Sequence, residues 1–467
     1  ALPTAAQGSA PRRHRLALRG ESADHLTSLA LRPGATEQEA PEGEPPPGVS
    51  NMIAVREALG DALDELEDQE LVALGDLIGS VCCIAVIETS HVDDAHRIFM
   101  VLNDRGKPLD RKDILKAEVL GRVALDQRQR CLVIWEERER LLGVGFEVLF
   151  GHIRAIHGRS GPRIIDGIRS IIAETGGAER FVDRVFAPAA DALAAINHCR
   201  HEGSPHSAAI CRRLRYLGWL TGTEWVPATL AFWLANPDKP EVLYAFLREI
   251  DRIAYTARLL GLGGDKRIAR FDRLTDLVRS GRGLDTRLAP HVLTREELRN
   301  INYNLRSLHY RSQQTCKLVL MRLSDEIAGR EENLDPADYT VEHVLPLNPG
   351  RTSSWRTVIP DAEERARVAN LLGNLVLVPR ALNADAGNLD LSAKLDLYFA
   401  AGRPRQPAIT EQLRGLATWN ADTIRARDAD FASRLQRMWR LEDAPSEPAT
   451  PPASGRPRRR GRARTSD

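Results

Sequence analysis

The chain has 467 residues, of which 28% are charged and 5% aromatic, and its formal net charge is +1 at pH 7. This composition indicates a helix-rich protein with several domains and argues against a uniformly basic nucleic-acid coat. It contains no apolar run long enough to cross a bilayer and no signal-peptide pattern, so we expect a cytoplasmic protein without membrane contact.

The N-terminal part mixes strand and helix signals, which predicts a partial α/β domain over residues 1–120. Residues 32–50 are rich in Pro, Glu and Gly and are interpreted as a flexible insertion. Helical periodicity fills residues 51–79. The continuous apolar, β-branched run at residues 81–87 predicts a buried strand.

Residues 121–330 are predicted to form a helical middle region, because apolar residues recur there at spacings of three and four. The predicted helices cover residues 141–156, 164–172, 181–196, 242–260, 298–308 and 314–327. The cysteines lie mostly on apolar or helical patterns without Cys-x-x-Cys spacing, which favours reduced core thiols over a zinc ribbon. They are Cys82, Cys83, Cys131, Cys199, Cys211 and Cys316.

A last domain is predicted over residues 331–441, and it ends in a strongly helical segment at residues 417–441. One stripe of that helix carries Trp419, Ile424, Phe431, Leu435 and Trp439. The basic, Pro-rich tail at residues 442–467 predicts disorder. Non-specific DNA affinity and an inert solubilising end are equally good interpretations of this tail.

The chemistry of the last domain starts from Glu342 and His343, which lie on a short β-branched run that ends before Pro346. Side chains alternate along a strand, so the pair requires a bend at the strand end to reach one cleft. Glu342 and the amide oxygen of Asn383 are candidate ligands for Mg²⁺ or Mn²⁺. His343 is the candidate general base, and Asn374 is expected to tie the His343 loop to a second strand.

Two further side chains complete the predicted site. Asn388 is a candidate metal ligand or a cap of the final helix. Lys394 is expected to face phosphate if that helix lies along the cleft. For Asn374 a plain turn role, and for Asn383 a helix cap, are the structural alternatives, and each is compatible with function.

These residues resemble the HNH, or ββα-metal, endonucleases, in which an acid–histidine pair, a bracing Asn and a final ligand occur in this order. More narrowly, residues 342–346, Trp355, residues 372–377 and the following Asn and Lys positions resemble the C-terminal domain of GmrSD-type, type IV restriction enzymes. The resemblance implies a ββα-metal nuclease domain, and with it an α+β, predominantly helical protein.

A second segment, residues 95–116, is similar to the end of the ParB-like N-terminal domain of the same enzymes, and its motif positions are Asn103, Arg105 and Gly106. The Asp-Gly-Gln-Gln-Arg motif of that domain does not occur in the sequence, and the chain starts at Ala1. We therefore expect an N-terminally truncated ParB-like part. The missing motif argues against NTP hydrolysis and nucleotide-gated cleavage, but the sequence leaves open whether NTP is used.

Three classes of function remain open from the sequence. The first, favoured by the retained acid and histidine, is a metal-dependent endonuclease that restricts foreign, base-modified DNA in phage defence. The second is a catalytically silent DNA-binding remnant, which would bind without cutting. The third is an NTP-driven regulator, against which the missing motif argues. The modification that is recognised, a homo-oligomer and a companion subunit are left open.

Overall fold

The computed structural model describes residues 25–32, 34–37, 47–83, 111–159, 163–281 and 292–441. The chain divides into two compact units, Ala1–Ala95 and His96–Asp467. In the described residues the protein is predominantly helical with one two-stranded antiparallel sheet, which confirms the predicted fold class at this level. No described helix is both long and apolar enough to cross a membrane.

The first unit contains helices α1 (Pro47–Asp64) and α2 (Asp68–Ser80), which confirms the helices predicted over residues 51–79. Helix α1 already begins inside the segment interpreted as a flexible insertion. The buried strand predicted at residues 81–87 is wrong for its first three residues, which are exposed. The amides of Val81 and Cys82 still donate to the Leu77 carbonyl, so they extend the last turn of α2. Residues 84–87 lie outside the described part.

The described part of the second unit starts with helices that pack around one large apolar core, which agrees with the helical character predicted for the middle region. They are α3 (Arg111–Gly121), α4 (Leu125–Leu142), α5 (Phe146–Ile156), α6 (Ile164–Thr175), α7 (Ala178–Phe181), α8 (Ala187–Asn197), α9 (Ser207–Gly218), α10 (Val226–Ala235), α11 (Pro240–Leu259), α12 (Gly264–Arg279), α13 (Arg295–Leu305), α14 (Leu308–Arg311) and α15 (Gln313–Ala328). A short π-helical turn, Val182–Phe186, joins α7 to α8.

The sheet follows α15 and consists of β1 (Tyr339–His343) and β2 (Leu375–Pro379). The helices around it are α16 (Trp355–Val358), α17 (Ala362–Ala369), α18 (Arg380–Ala386), α19 (Leu391–Tyr398), α20 (Ala408–Glu411) and α21 (Ala421–Trp439). Strand β2 is buried on both faces. Leu375 and Leu377 join the large core, and Val376 and Val378 join a second core, because side chains alternate along a strand.

The predicted apolar stripe is buried throughout. Trp419, two residues before α21, lies in the second core, and Trp439 at the end of α21 lies in the large one. All six cysteines are free. The expected burial holds for Cys131 and Cys316, whereas Cys82 and Cys83 are exposed at the end of α2.

Candidate active site

The end of β1 is held by Asn374, the residue that precedes β2. The register pairs Glu342 with Val376 and His343 with Leu375. Just beyond the strand, the Asn374 side chain accepts from the Leu345 amide at 2.8 Å and donates to the Leu345 carbonyl at 2.8 Å. Asn374 is fully buried, so these are the contacts that a brace between the His343 loop and β2 requires.

Helix α21 fixes this brace from the other side. Trp419, just before the helix, donates its indole N–H to the Asn374 side-chain oxygen at 3.1 Å. The half-buried Arg427 guanidinium donates to the carbonyls of Gly373 and Leu375, the two neighbours of Asn374, at 2.8 and 2.9 Å. Burial lowers the pKa of Arg427 to about 9, and two aromatic faces, Trp419 and Phe431, lie beside the cation. The sequence pattern gave no signal for Arg427.

A cavity of about 400 Å³ opens at the end of β1. Glu342 and His343, the last two residues of β1, both line it. The chain bends directly after them, at Val344 and Leu345, whereas Glu342 and His343 themselves keep the regular register with β2. The lining consists of His309, Gln313, Gln314, Lys317, Tyr339, Thr340, Val341, Glu342, His343, Arg380 and Asn383.

The sequence predicted that Lys394 would face phosphate in the cleft, but Lys394 is not among the residues that line the cavity. Its ammonium is fully buried, 2.5 Å from Glu342 Oε1 and 2.6 Å from the His343 carbonyl oxygen. A buried ammonium without a carboxylate partner would be strongly disfavoured, and Glu342 is the partner that makes the buried position of Lys394 possible. Lys394 thus fixes the Glu342 carboxylate and the strand end.

The environment of this pair shifts both pKa values toward the neutral forms. Burial raises the pKa of Glu342, and Lys394 partly offsets the rise. Burial likewise lowers the pKa of Lys394, against the opposing effect of Glu342. Tyr398, one helical turn after Lys394, also lies by the carboxylate, and burial together with Glu342 raises its pKa. Lys394 alone does not offset the effect of burial on Glu342, so a second cation near Glu342 would stabilise the charged form of its carboxylate.

His343 is half-buried, and burial lowers its pKa to about 4, with smaller contributions from His309 and Lys394. The imidazole is therefore neutral at pH 7. Its Nε2 atom is buried without a hydrogen-bond partner. The His309 ring meets the His343 ring edge to face, with centroids 4.7 Å apart and planes at 89°.

Asn383 lies on α18 and lines the same cavity, and its side-chain oxygen is buried without a hydrogen-bond donor. A carboxylate and an unpartnered amide oxygen facing one polar cavity fit the oxygen-rich surroundings that Mg²⁺ requires. No cluster of three or more His, Cys, Asp or Glu side chains with metal-binding geometry occurs in the part of the chain that is described. Asn388 is exposed in the turn after α18 and is not among the lining residues.

Sequence patterns missed three cavity residues that lie on other elements: His309 on α14, Lys317 on α15 and Arg380 at the start of α18. None has a chemical partner at a telling spacing in the sequence, so only the packing of α14 and α15 beside β1 brings them to the site. The predicted motif positions Asn103, Arg105 and Gly106 lie outside the described residues.

The geometry thus unites an acid, an imidazole and an amide at the end of a two-stranded sheet, followed by a helix. Residues 294–434 match the family model described as GmrSD restriction endonucleases, C-terminal domain. The match runs from the start of α13 into α21 and contains the whole cavity, so the predicted resemblance is confirmed for this part of the chain. No match to a curated protein was found.

Proposed function

We propose that the chain is a metal-dependent endonuclease of the HNH, ββα-metal type that cleaves foreign, base-modified DNA in a restriction system. The observation that carries the proposal is the cavity shared by Glu342, His343 and Asn383, inside the range matched to restriction endonucleases. Two buried acceptor atoms without donors, His343 Nε2 and Asn383 Oδ1, support a site that is completed by a proton and a cation.

His343 is the general base of this proposal. Its neutral imidazole can accept a proton from water at Nε2 at pH 7, because burial keeps its pKa near 4. A phosphodiester in the cavity raises that pKa, since a nearby negative charge favours the protonated ring. Asn374 keeps the strand end in place through its hydrogen bonds to Leu345, so the imidazole is presented in one orientation.

Glu342 and Asn383 are the residues that would hold Mg²⁺ or Mn²⁺, which neutralises the charge that develops on the leaving oxygen. Lys394 acts on the site through Glu342, because it holds the Oε1 atom of the carboxylate. Lys394 is therefore a positioning residue in this proposal. Asn388 stays a candidate ligand only from the sequence.

The deciding experiment compares plasmid and modified-phage DNA cleavage by the wild type and by His343→Ala. Each protein is assayed with Mg²⁺, with Mn²⁺ and with chelator, in the presence and absence of NTP. We expect metal-dependent cutting by the wild type, a loss of at least about 100-fold in His343→Ala, and no requirement for NTP. His198→Ala, an exposed histidine outside the cavity, is the matched control and should cut normally.

Equal activity in wild type and His343→Ala would remove His343 from the mechanism. A wild type that is folded and shifts DNA but never cuts would favour the alternative function, a catalytically silent DNA-binding protein. The Lys394–Glu342 pair is the specific observation behind that alternative, because it already supplies one positive charge to the carboxylate.

A further inference from the structure

Two cations at the rim of the cavity are held in place without being neutralised. Lys317 Nζ donates to the Pro336 carbonyl at 2.6 Å, and Arg380 Nε donates to the Ala337 carbonyl. Both acceptors are uncharged and belong to adjacent residues of one loop. Neither cation forms an ion pair with any described residue. The two side chains are therefore oriented by neutral acceptors, without a direct contact to a described carboxylate.

The positive charge of Arg380 disfavours the charged form of Lys317. The pKa of Lys317 is lowered by burial and further by Arg380, and Asp335 offsets this only in part. Holding like charges together costs free energy that a bound anion would recover. Both side chains also have N–H groups left for a ligand. An ammonium has three N–H groups and a guanidinium five, and each side chain uses one of them in a hydrogen bond to the described residues.

The position of the pair identifies the anion. Lys317 and Arg380 line the same cavity as Glu342, His343 and Asn383, so an anion between the cations lies beside the reacting phosphodiester. We propose that Lys317 and Arg380 bind the DNA backbone phosphate next to the one that is cleaved. This inference rests on the proposed nuclease function and adds the groups that set the register of the backbone in the site.

Such contacts leave a thermodynamic signature that a structural brace does not. Each phosphate contact by a lysine or arginine releases condensed counterions, so the binding constant falls more steeply with salt. A side chain that only anchors residues 336 and 337 would change the affinity without changing this slope. The salt dependence of DNA binding therefore separates the two roles.

The test measures binding of a short fluorescent DNA duplex to the full chain by anisotropy over a range of KCl concentrations, in EDTA so that no DNA is cut. Lys317→Gln and Arg380→Gln should each make the negative slope of log K against log salt shallower. The double variant should make it shallower by about 1 in total, because the two cations share one phosphate. Lys317→Arg should restore the slope, because it keeps the charge. Lys266→Gln, an exposed lysine on α12, is the matched control and should leave the slope unchanged.

A slope that stays at the wild-type value in both single variants overturns the inference, and so does an equal decrease in Lys266→Gln. Circular dichroism checks that each variant is folded. If a glutamine variant does not fold, lysine acetylation of the wild type replaces it: DNA should protect Lys317 and not Lys266, and equal labelling of Lys317 with and without DNA overturns the inference.

The outcome is independent of cleavage. A chain that shows the expected slopes but never cuts DNA with metal keeps the phosphate site and loses the nuclease function. A chain that cuts in a His343-dependent way with unchanged slopes keeps the nuclease function and loses this phosphate site. Absence of DNA binding by the wild type overturns the inference in either case.

Discussion

The buried contact between Lys394 and Glu342 decides how the acid can act. Burial disfavours the charged form of this carboxylate and raises the pKa of Glu342. The ammonium at 2.5 Å opposes that shift and keeps one carboxylate oxygen occupied. While Lys394 stays in contact with Oε1, Glu342 can contribute at most its other oxygen to a metal ion. Metal affinity should therefore depend strongly on the neutral amide oxygen of Asn383.

Asn383→Ala should consequently raise the Mg²⁺ concentration needed for half-maximal cleavage, by about tenfold or more. The maximal rate at saturating metal should change less, since the base and the brace are intact. A Mg²⁺ titration of plasmid cleavage measures both quantities. Asn388→Ala is the matched control, because the same residue type lies exposed five positions later. Identical titrations for wild type and Asn383→Ala would remove Asn383 from the ligand set.

Individual residues were predictable from the sequence where their partners are local. Asn374 could be placed because it directly precedes the apolar run of β2, and Glu342 with His343 because they end the run of β1. The inward direction of Lys394 depends on a partner 52 residues away, and the ring contact of His309 on one 34 residues away. No local pattern specifies such contacts, so a helix position alone could not distinguish a phosphate-facing lysine from a buried one.

At the scale of elements, helix α21 approaches the turn before β2 so closely that Gly373 has no space for a side chain. A Cβ atom there would overlap the Ile424 carbonyl oxygen and would lie 2.5 Å from the Asp428 amide nitrogen. The Gly373 amide also donates to the Asp428 side chain at 3.1 Å. Backbone atoms cannot rotate away, so the requirement for glycine comes from this helix contact.

Gly373→Ala should therefore push α21 away from the brace and lower the free energy of unfolding by about 1–3 kcal/mol. Because Arg427 and Trp419 hold Asn374 from the same helix, cleavage should weaken as well. Urea denaturation and plasmid cleavage measure the two effects. Gly350→Ala, at an exposed glycine with open space, is the control and should match the wild type. A Gly373→Ala protein as stable as that control would contradict the close contact.

The elements themselves were largely predictable because helical periodicity in the second unit is strong. Each middle-region window with three- and four-residue apolar spacing contains a described helix, although residues 141–156 and 181–196 also include short turns between helices. The same rule failed at residues 81–83, where a continuous apolar run continues the last turn of α2 instead of starting a strand. A short apolar run fits a helix end and a buried strand equally well, and only its tertiary surroundings decide between them.

At the scale of the second unit, the helical middle region and the last helix are joined by buried polar contacts. The Arg322 guanidinium on α15 donates to both oxygens of Asp251 on α11, at 2.6 and 3.0 Å. Its cation lies over the Tyr216 ring at 3.8 Å and within 5.8 Å of the Trp439 ring on α21. Arg252 donates to the Trp439 carbonyl at 2.7 Å. The candidate site is therefore supported by helices that precede it in sequence.

Removal of Arg322 tests this support. In the wild type, Arg322 and Arg213 hold the pKa of Asp251 below its ordinary value of 3.8 despite burial, which alone would raise it. The stability that this carboxylate contributes is therefore complete above pH 3.8 and is lost as the pH falls below that value. Without Arg322, burial is opposed mainly by Arg213, so the pKa of Asp251 should rise above 3.8.

Arg322→Met should accordingly lower the free energy of unfolding by about 3 kcal/mol at pH 7, where the carboxylate is buried with one partner missing. The loss should shrink as the pH falls toward 4, because protonation of Asp251 removes the poorly compensated charge in the folded variant. Urea denaturation at both pH values measures the difference, with the exposed Arg330→Met as control. A deficit that is equal at the two pH values, or absent, would show that Arg322 does not hold a buried carboxylate at the junction of α11, α15 and α21.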